Sequence, residues 1–247
     1  MISSIQPAHR GRPGIVPGFR VPGTALPGKV HQGIVTGSQL RVAKGETLYE
    51  EGGRAAAPYM VVSGVLRVMV KAANGRDRLA DLAGPGDVLA TAVFDASPHA
   101  ETVVAASDAV VACIDVNRTL TRVQGRQDLA ASLVRQLNRS REMADDLGLP
   151  MGARICRILA RVAERLGDRV EPPVKPVRLA AGGEWRHLPF SLTHDDVALL
   201  AGCARVTATR VLGELKESHV LDGHRGNYSV VPDALEAAAD RYVYEVL

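Results

Sequence analysis

Arg205, Val206, Thr207, Thr209 and Arg210 stand in one short stretch of the 247-residue chain, and their side chains suit contact with a nucleic-acid duplex. A guanidinium presents two parallel N–H donors, a fork that matches O6 and N7 of guanine in the major groove. Thr207 and Thr209 suit phosphate oxygens or the 5-methyl group of thymine. On a helix, Arg205 falls in the first turn and reads a base, while Arg210 reads a second base or holds a phosphate. Glu214 and Asp196 are also near both arginines, so a solvated, ion-paired face is the alternative.

The flanking pattern supplies the elements that hold these residues out. Thr193-His194-Asp195-Asp196 has the form of a capping box, in which the Thr193 hydroxyl accepts the third helical N–H and Asp196 reaches back to the cap. Val197, Leu200 and Ala201 give a first helix its buried side, and Ala198 and Gly202 are small where two helices approach. A second helix runs from about Ala204 to Glu217, with Ala208, Val211, Leu212 and Leu215 inward; Cys203 and Ala204 cap it poorly. Val220-Leu221, a turn over Asp222–Gly226, and Tyr228 to Val231 read as a hairpin. Together these form a winged helix-turn-helix, which offers its second helix to a major groove. His224 and Arg225 at the hairpin tip, with Thr193 at the cap, complete the expected DNA contacts. Ser191–Val231 holds four Lys/Arg against five Asp/Glu, so attraction depends on where the cations sit rather than on their sum.

Four regions follow from the rest of the chain. Residues 1–39, with seven glycines and five prolines, read as a flexible leader. Residues 40–116 hold short β-like runs at Tyr59–Val62, Val65–Val70, Leu79–Leu82, Val103–Ala106 and Ala109–Ile114. Turn signals at Ser63-Gly64, Asn74-Gly75 and Gly84-Pro85-Gly86-Asp87 separate them, which predicts an antiparallel roll. Residues 117–148 read as one helix, Asn117–Leu147, with Leu129, Leu133, Leu137, Ala144 and Leu147 at helical spacing and Arg135, Arg139, Arg141 and Glu142 mostly elsewhere. Lying between two regions that each look complete, it is read as a dimer-forming helix, ended by Gly148 and Pro150. Residues 149–247 form the winged domain, opening with a helix at Met151–Leu166 that carries Ile155, Ile158, Leu159 and Val162 on one side. A Pro/Gly-rich connection over 168–189 contains a short strand pair and the single tryptophan, Trp185. The fold class is thus α+β: roll, long helix, winged helix-turn-helix.

Composition removes several function classes. Apolar residues make up 46% of the chain but aromatics only 4%, so Val, Leu and Ala must do the packing. Cys113, Cys156 and Cys203 form no Cys-x-x-Cys pair, which fits a reducing cytoplasm and argues against a structural zinc or an iron–sulfur cluster. No apolar run is long enough to span a bilayer, and no secretory signal marks the N-terminus, so no membrane partner is expected. No Gly-rich phosphate loop, nucleophile set or metal-spaced cluster points to catalysis; His194-Asp195-Asp196 is explained by capping.

Across about Leu40 to Ala239 the chain resembles the Crp-Fnr family of bacterial transcription regulators. The resemblance rests on Lys44 through Gly52, Tyr59 through Gly64, Gly75-Arg76, Pro85-Gly86-Asp87, the long helix, and Leu192 through Leu221 with the wing. It implies a homodimer on an inverted repeat of double-stranded DNA, action through RNA polymerase contact or occlusion, and an effector in the roll. Where the family often has Arg-Glu-x-x-x-Arg, this chain has Arg205-Val206-x-x-x-Arg210, which removes an acceptor for cytosine N4. The resemblance places an effector pocket at Ala90-Thr91 and His99-Ala100, with Arg139-Ser140 on the long helix. Thr91 replaces the ribose-binding carboxylate, and His99 and Glu101 stand near the place of the phosphate-pairing arginine, which argues against a cyclic nucleotide bound in the usual way. The effector is therefore read as altered or absent, with no cofactor assigned. The competing readings are a ligand-independent architectural DNA binder and a nucleotide-type regulatory module of an enzyme.

Overall fold

A computed structural model describes residues 33–244 apart from 55, 73, 74, 76 and 172–182. The order is β1 (Thr36–Val42), β2 (Thr47–Tyr49), β3 (Tyr59–Ser63), β4 (Leu66–Lys71), β5 (Asp77–Ala83), β6 (Val88–Leu89), β7 (Thr102–Ala105) and β8 (Ala109–Ile114), then α1 (Val116–Thr121), α2 (Val123–Asp145) and α3 (Met151–Leu166). There follow β9 (Asp168–Val170), β10 (Trp185–His187), α4 (His194–Ala201), α5 (Arg205–Glu217), β11 (Leu221–His224), β12 (Asn227–Val230) and α6 (Pro232–Tyr244).

The N-terminal roll is two antiparallel sheets, ordered β1-β8-β3-β6 and β2-β7-β4-β5. Alternating apolar positions such as Leu40, Val42, Val61, Leu66, Val103 and Val111 meet between them as one core. Asn74 and Arg76 lie outside the described residues, but β4 and β5 pair as far as Lys71 with Asp77 around them.

Part of the region read as the 1–39 leader belongs to the roll. Strand β1 begins at Thr36, and Ile34 is buried with Met60, Val88, Ile114 and Leu129. A register shift between Thr36 and Gln39 bulges the strand at Gly37-Ser38, which disguised it as turn sequence. Residues 1–32 lie outside the described residues.

The helix expected over Asn117–Leu147 is broken. Arg122 is extended (φ −96°, ψ 133°) between α1 and α2, and a 3-10 turn over Asp146–Gly148 follows α2. At the break Thr119 is fully buried, and its hydroxyl oxygen accepts the Val35 N–H at 3.0 Å, anchoring α1 on the chain entering the roll. The apolar stripe also divides. Leu129 and Leu133 pack on the roll, whereas Leu137 and Leu147 are exposed. Steps of four residues rotate about 40° around a helix, so the row drifts off the roll within three leucines.

One apolar cluster fills the C-terminal domain from α3, α4, α5, α6 and β12, and it takes in Val65, Leu79, Leu82 and Ala106 of the roll. Charged contacts brace the same junction. Arg139 of α2 bonds Asp81 and Asp87, and Arg165 of α3 reaches the same two carboxylates. Arg154 of α3, buried, donates to the carbonyls of Asp146, Leu147, Leu149 and Ala201. It thereby satisfies chain-end carbonyls after α2 and at the end of α4, groups a helix cannot bond internally.

Candidate nucleic-acid interface

Helix α4 opens on the capping box: Asp196 N–H donates to Thr193 Oγ1 at 3.1 Å, and Thr193 N–H donates to Asp196 Oδ2 at 2.8 Å. It stops at Gly202, whose φ of +66° is the left-handed conformation that reverses the chain. Helix α5 then starts at Arg205 with no side-chain cap. Its inner face is Ala208, Val211, Leu212 and Leu215, all buried. The opposite face is open: Arg205, Val206, Thr209 and Arg210 are exposed, and Thr207 is half-buried.

The exposed cations are parked on neighbouring carboxylates. Arg205 Nη1 lies 3.3 Å from Asp195 Oδ2, and Arg210 Nη1 lies 2.5 Å from Glu214 Oε1. The carboxylate beside Arg205 is Asp195; Asp196 is held by Arg67 of β4 instead. Both arginine pairs are solvent-exposed, so each is worth a few tenths of a kcal/mol to about 1 kcal/mol, little enough for a phosphate or guanine to displace.

The wing is tighter than the expected Asp222–Gly226 turn. Asp222, Gly223 and His224 belong to β11, His224 faces Asn227, and the loop is only Arg225-Gly226, with φ of 53° and 83°. Both central residues at positive φ define the hairpin turn that suits strand twist. Gly226 is required because a Cβ there would stand 2.5 Å from Ser191 Oγ. His224 and Arg225 are exposed at the tip, as is Thr193 at the start of α4.

His194 ties these elements together, a role the sequence did not disclose. Its Nδ1 is 2.9 Å from Thr209 Oγ1 of α5 and its Nε2 is 2.9 Å from Tyr228 Oη of β12. Lys216 Nζ lies over the Tyr228 ring at 5.4 Å. Burial, then Lys216 and Arg205, push the His194 imidazole below its ordinary value. The partners lie 15 and 34 residues away, so no local signal marks them.

In the roll, the expected pocket residues are distributed unevenly. Ala90 and His99 come together through Tyr49: the Ala90 N–H donates to Tyr49 Oη at 3.0 Å, and the Tyr49 and His99 rings stack at 4.1 Å. Tyr49 in turn donates to Glu101 Oε1 at 2.8 Å, and burial together with Glu101 pushes its phenol well up. Thr91, which opens a 3-10 turn over Thr91–Phe94, and Ala100 are exposed beside this cluster. Arg139 and Ser140 are engaged elsewhere, Arg139 with Asp81 and Asp87 and Ser140 with the Gln136 carbonyl. Among the described residues, no group of three His, Cys, Asp or Glu side chains could hold a metal ion. No described helix is long and apolar enough to cross a membrane.

This architecture is a cyclic-nucleotide-binding roll joined by a long helix to a DNA-binding helix-turn-helix. Residues 39–124 match the cyclic nucleotide-binding domain family and residues 153–238 the Crp-like helix-turn-helix domain. The chain belongs to the Crp-Fnr family of transcription regulators. It is 23% identical over 189 residues to a CRP-like cAMP-activated global transcriptional regulator of Mycobacterium tuberculosis, covering 74% of this chain and 76% of the relative. Its fold matches a CRP/FNR-family regulator from Thermus thermophilus with a TM-score of 0.65 at 20% identity, over 83% of this chain and 100% of the other. FixK2 from Bradyrhizobium japonicum gives 0.64 at 22% identity, over 83% and 98%.

Proposed function

We propose that the protein is a cytoplasmic homodimer that binds an inverted repeat in double-stranded DNA, with one α5 in each of two successive major grooves. The observation that carries this reading is the outward face of α5. Arg205 and Arg210 keep 68% and 63% of their side chains exposed on a helix locked to its neighbours from behind. The wing tip, with His224 and Arg225, and Thr193 at the start of α4 meet the flanking phosphates.

Dimerisation is supported by α2. Val123, Gln127, Ala130, Val134, Leu137 and Arg141 are all exposed and recur at alternating steps of four and three, the spacing of a two-helix seam. Exposed apolar side chains in such a row mark a surface that a second copy covers. Bound near a promoter, the dimer acts by touching RNA polymerase or by excluding it.

The relatives named as cAMP-activated suggest cyclic AMP as effector. Tyr49, His99 and Glu101 argue against that mode here, because Glu101 brings a negative charge beside Ala90 and His99, and Tyr49 is already bonded to both Ala90 and Glu101. We therefore place DNA binding under no control by cyclic nucleotide in the usual pocket.

Selection of duplexes from a random pool tests the reading. The expected product is an inverted repeat whose half-sites are about 10 base pairs apart, centre to centre. A pool that converges on no such repeat overturns it.

A further inference from the structure

The geometry points to Val206 as the residue that sets sequence preference, by packing on the 5-methyl group of a thymine; this rests on the DNA-binding reading above. Val206 is 75% exposed in the first turn of α5. It shares its outward stripe with Thr209, Arg210 and Gly213, which follow at helical spacing. A single exposed valine on an ordinary surface needs no explanation. This one stands in the middle of the face that meets the groove, beside Arg205.

The polar groups around it narrow what it can read. Arg205 is held by Asp195 and Arg210 by Glu214, and the Thr209 hydroxyl is 2.9 Å from His194 Nδ1. Arg205 through Gly213 includes no carboxylate or carboxamide. That stretch therefore offers no carboxylate or amide oxygen for the amino group of cytosine or adenine; its side-chain acceptors are the hydroxyls of Thr207, half-buried, and Thr209, engaged with His194. A β-branched hydrocarbon gains only from apolar contact, and thymine's methyl is the apolar feature a major groove presents. Thr209, its hydroxyl turned to His194, leaves its own methyl to extend the same apolar surface. The half-site accordingly places thymine next to the guanine read by Arg205.

The test uses the full-length protein and the duplex it selects from a random pool. Each thymine of the half-site is replaced in turn by deoxyuridine, which pairs identically and lacks the methyl. Wild type loses affinity at one position per half-site, about fourfold for a single buried methyl. Val206→Ala binds the thymine and deoxyuridine versions of that position equally, and Val206→Glu moves the preference there to cytosine. Because the side chain is exposed, both variants keep the wild-type circular dichroism spectrum. A wild type indifferent to deoxyuridine throughout the half-site overturns the inference, as does a Val206→Ala protein with unchanged thymine discrimination; in both cases the selected repeat leaves DNA recognition standing. A pool with no enriched repeat overturns both.

Discussion

Arg67 in strand β4 of the roll grips Asp196 in helix α4 of the DNA-binding domain with two parallel bonds of 2.7 Å, Nε to Oδ1 and Nη2 to Oδ2. Asp196 is also the carboxylate of the capping box, and Arg67 Nη2 donates to the Ser191 carbonyl at 2.9 Å as well. One side chain of the roll therefore holds the residues that begin the helix-turn-helix. Burial alone would raise the Asp196 carboxyl, but the bonds from Arg67 and Thr193 outweigh it and hold the group below its ordinary value.

Arg67→Met keeps the capping box and removes the clamp. Losing a partner of a fully buried pair costs about 3–5 kcal/mol, and an exposed pair about 1 or less. With 19% and 10% of the two side chains exposed, the loss falls between these, at about 1–3 kcal/mol. Urea denaturation measures it, and an unchanged midpoint would show that the apolar junction holds the domains unaided.

Below neutrality, His194 makes the DNA-binding domain less stable. Its folded value lies under the unfolded 6.5 because of burial, Lys216 and Arg205, opposed by Asp195. The unfolded chain then binds the proton more readily, so the contribution is present above pH 6.5 and is lost as pH falls toward the folded value. His194→Gln lowers Tm at neutral pH but flattens its decline between about pH 7 and 5.5. A variant with the wild-type slope would assign the effect to another group. The Asp196 carboxyl does not enter this window, since its change occurs below its ordinary 3.8.

Val134→Asp combined with Leu137→Asp yields a folded monomer. Both side chains are mostly exposed in a single protomer, at 53% and 68%, so the substitutions leave the protomer's own core intact while placing charges on the α2 seam. Sedimentation equilibrium reads the mass; a dimer that survives both changes would move the interface elsewhere.

Cyclic AMP leaves the wild-type melting temperature unchanged at millimolar concentration, because a ligand stabilises only what it binds. Tyr49→Phe, which removes the bridge between Ala90 and Glu101, costs about 1 kcal/mol, the net worth of a hydrogen bond. Saturable stabilisation of the wild type by the nucleotide would contradict the proposal that cyclic nucleotide has no part in control.

The parts legible in the sequence are those set by short-range chemistry. Thr193 and Asp196 lie three residues apart and made the capping box readable, and Ala208, Val211, Leu212 and Leu215 gave the inner face of α5. What stayed hidden depends on residues distant along the chain. Tyr49 meets Glu101, Arg67 meets Asp196 and His194 meets Tyr228 only after folding. The break at Arg122 had no proline to announce it, since it is set by Thr119 being buried against Val35. The wing turn was read too long for a related reason: Asp222 and Gly223 are turn-type residues by composition, yet they pair with Ser229 and Tyr228 as strand, and the loop is only Arg225-Gly226.

Sequence-specific binding depends above all on Arg205 reading a base. Its most direct measurement is the affinity of wild type and Arg205→Ala for the selected operator and for random duplex at one fixed salt concentration. The account predicts that the variant loses at least tenfold in the ratio of operator to random binding, consistent with about 1–3 kcal/mol for one bidentate contact in each half-site, while random binding falls little. An unchanged ratio, or an equal loss on both duplexes, would make Arg205 a phosphate contact or a bystander and contradict it.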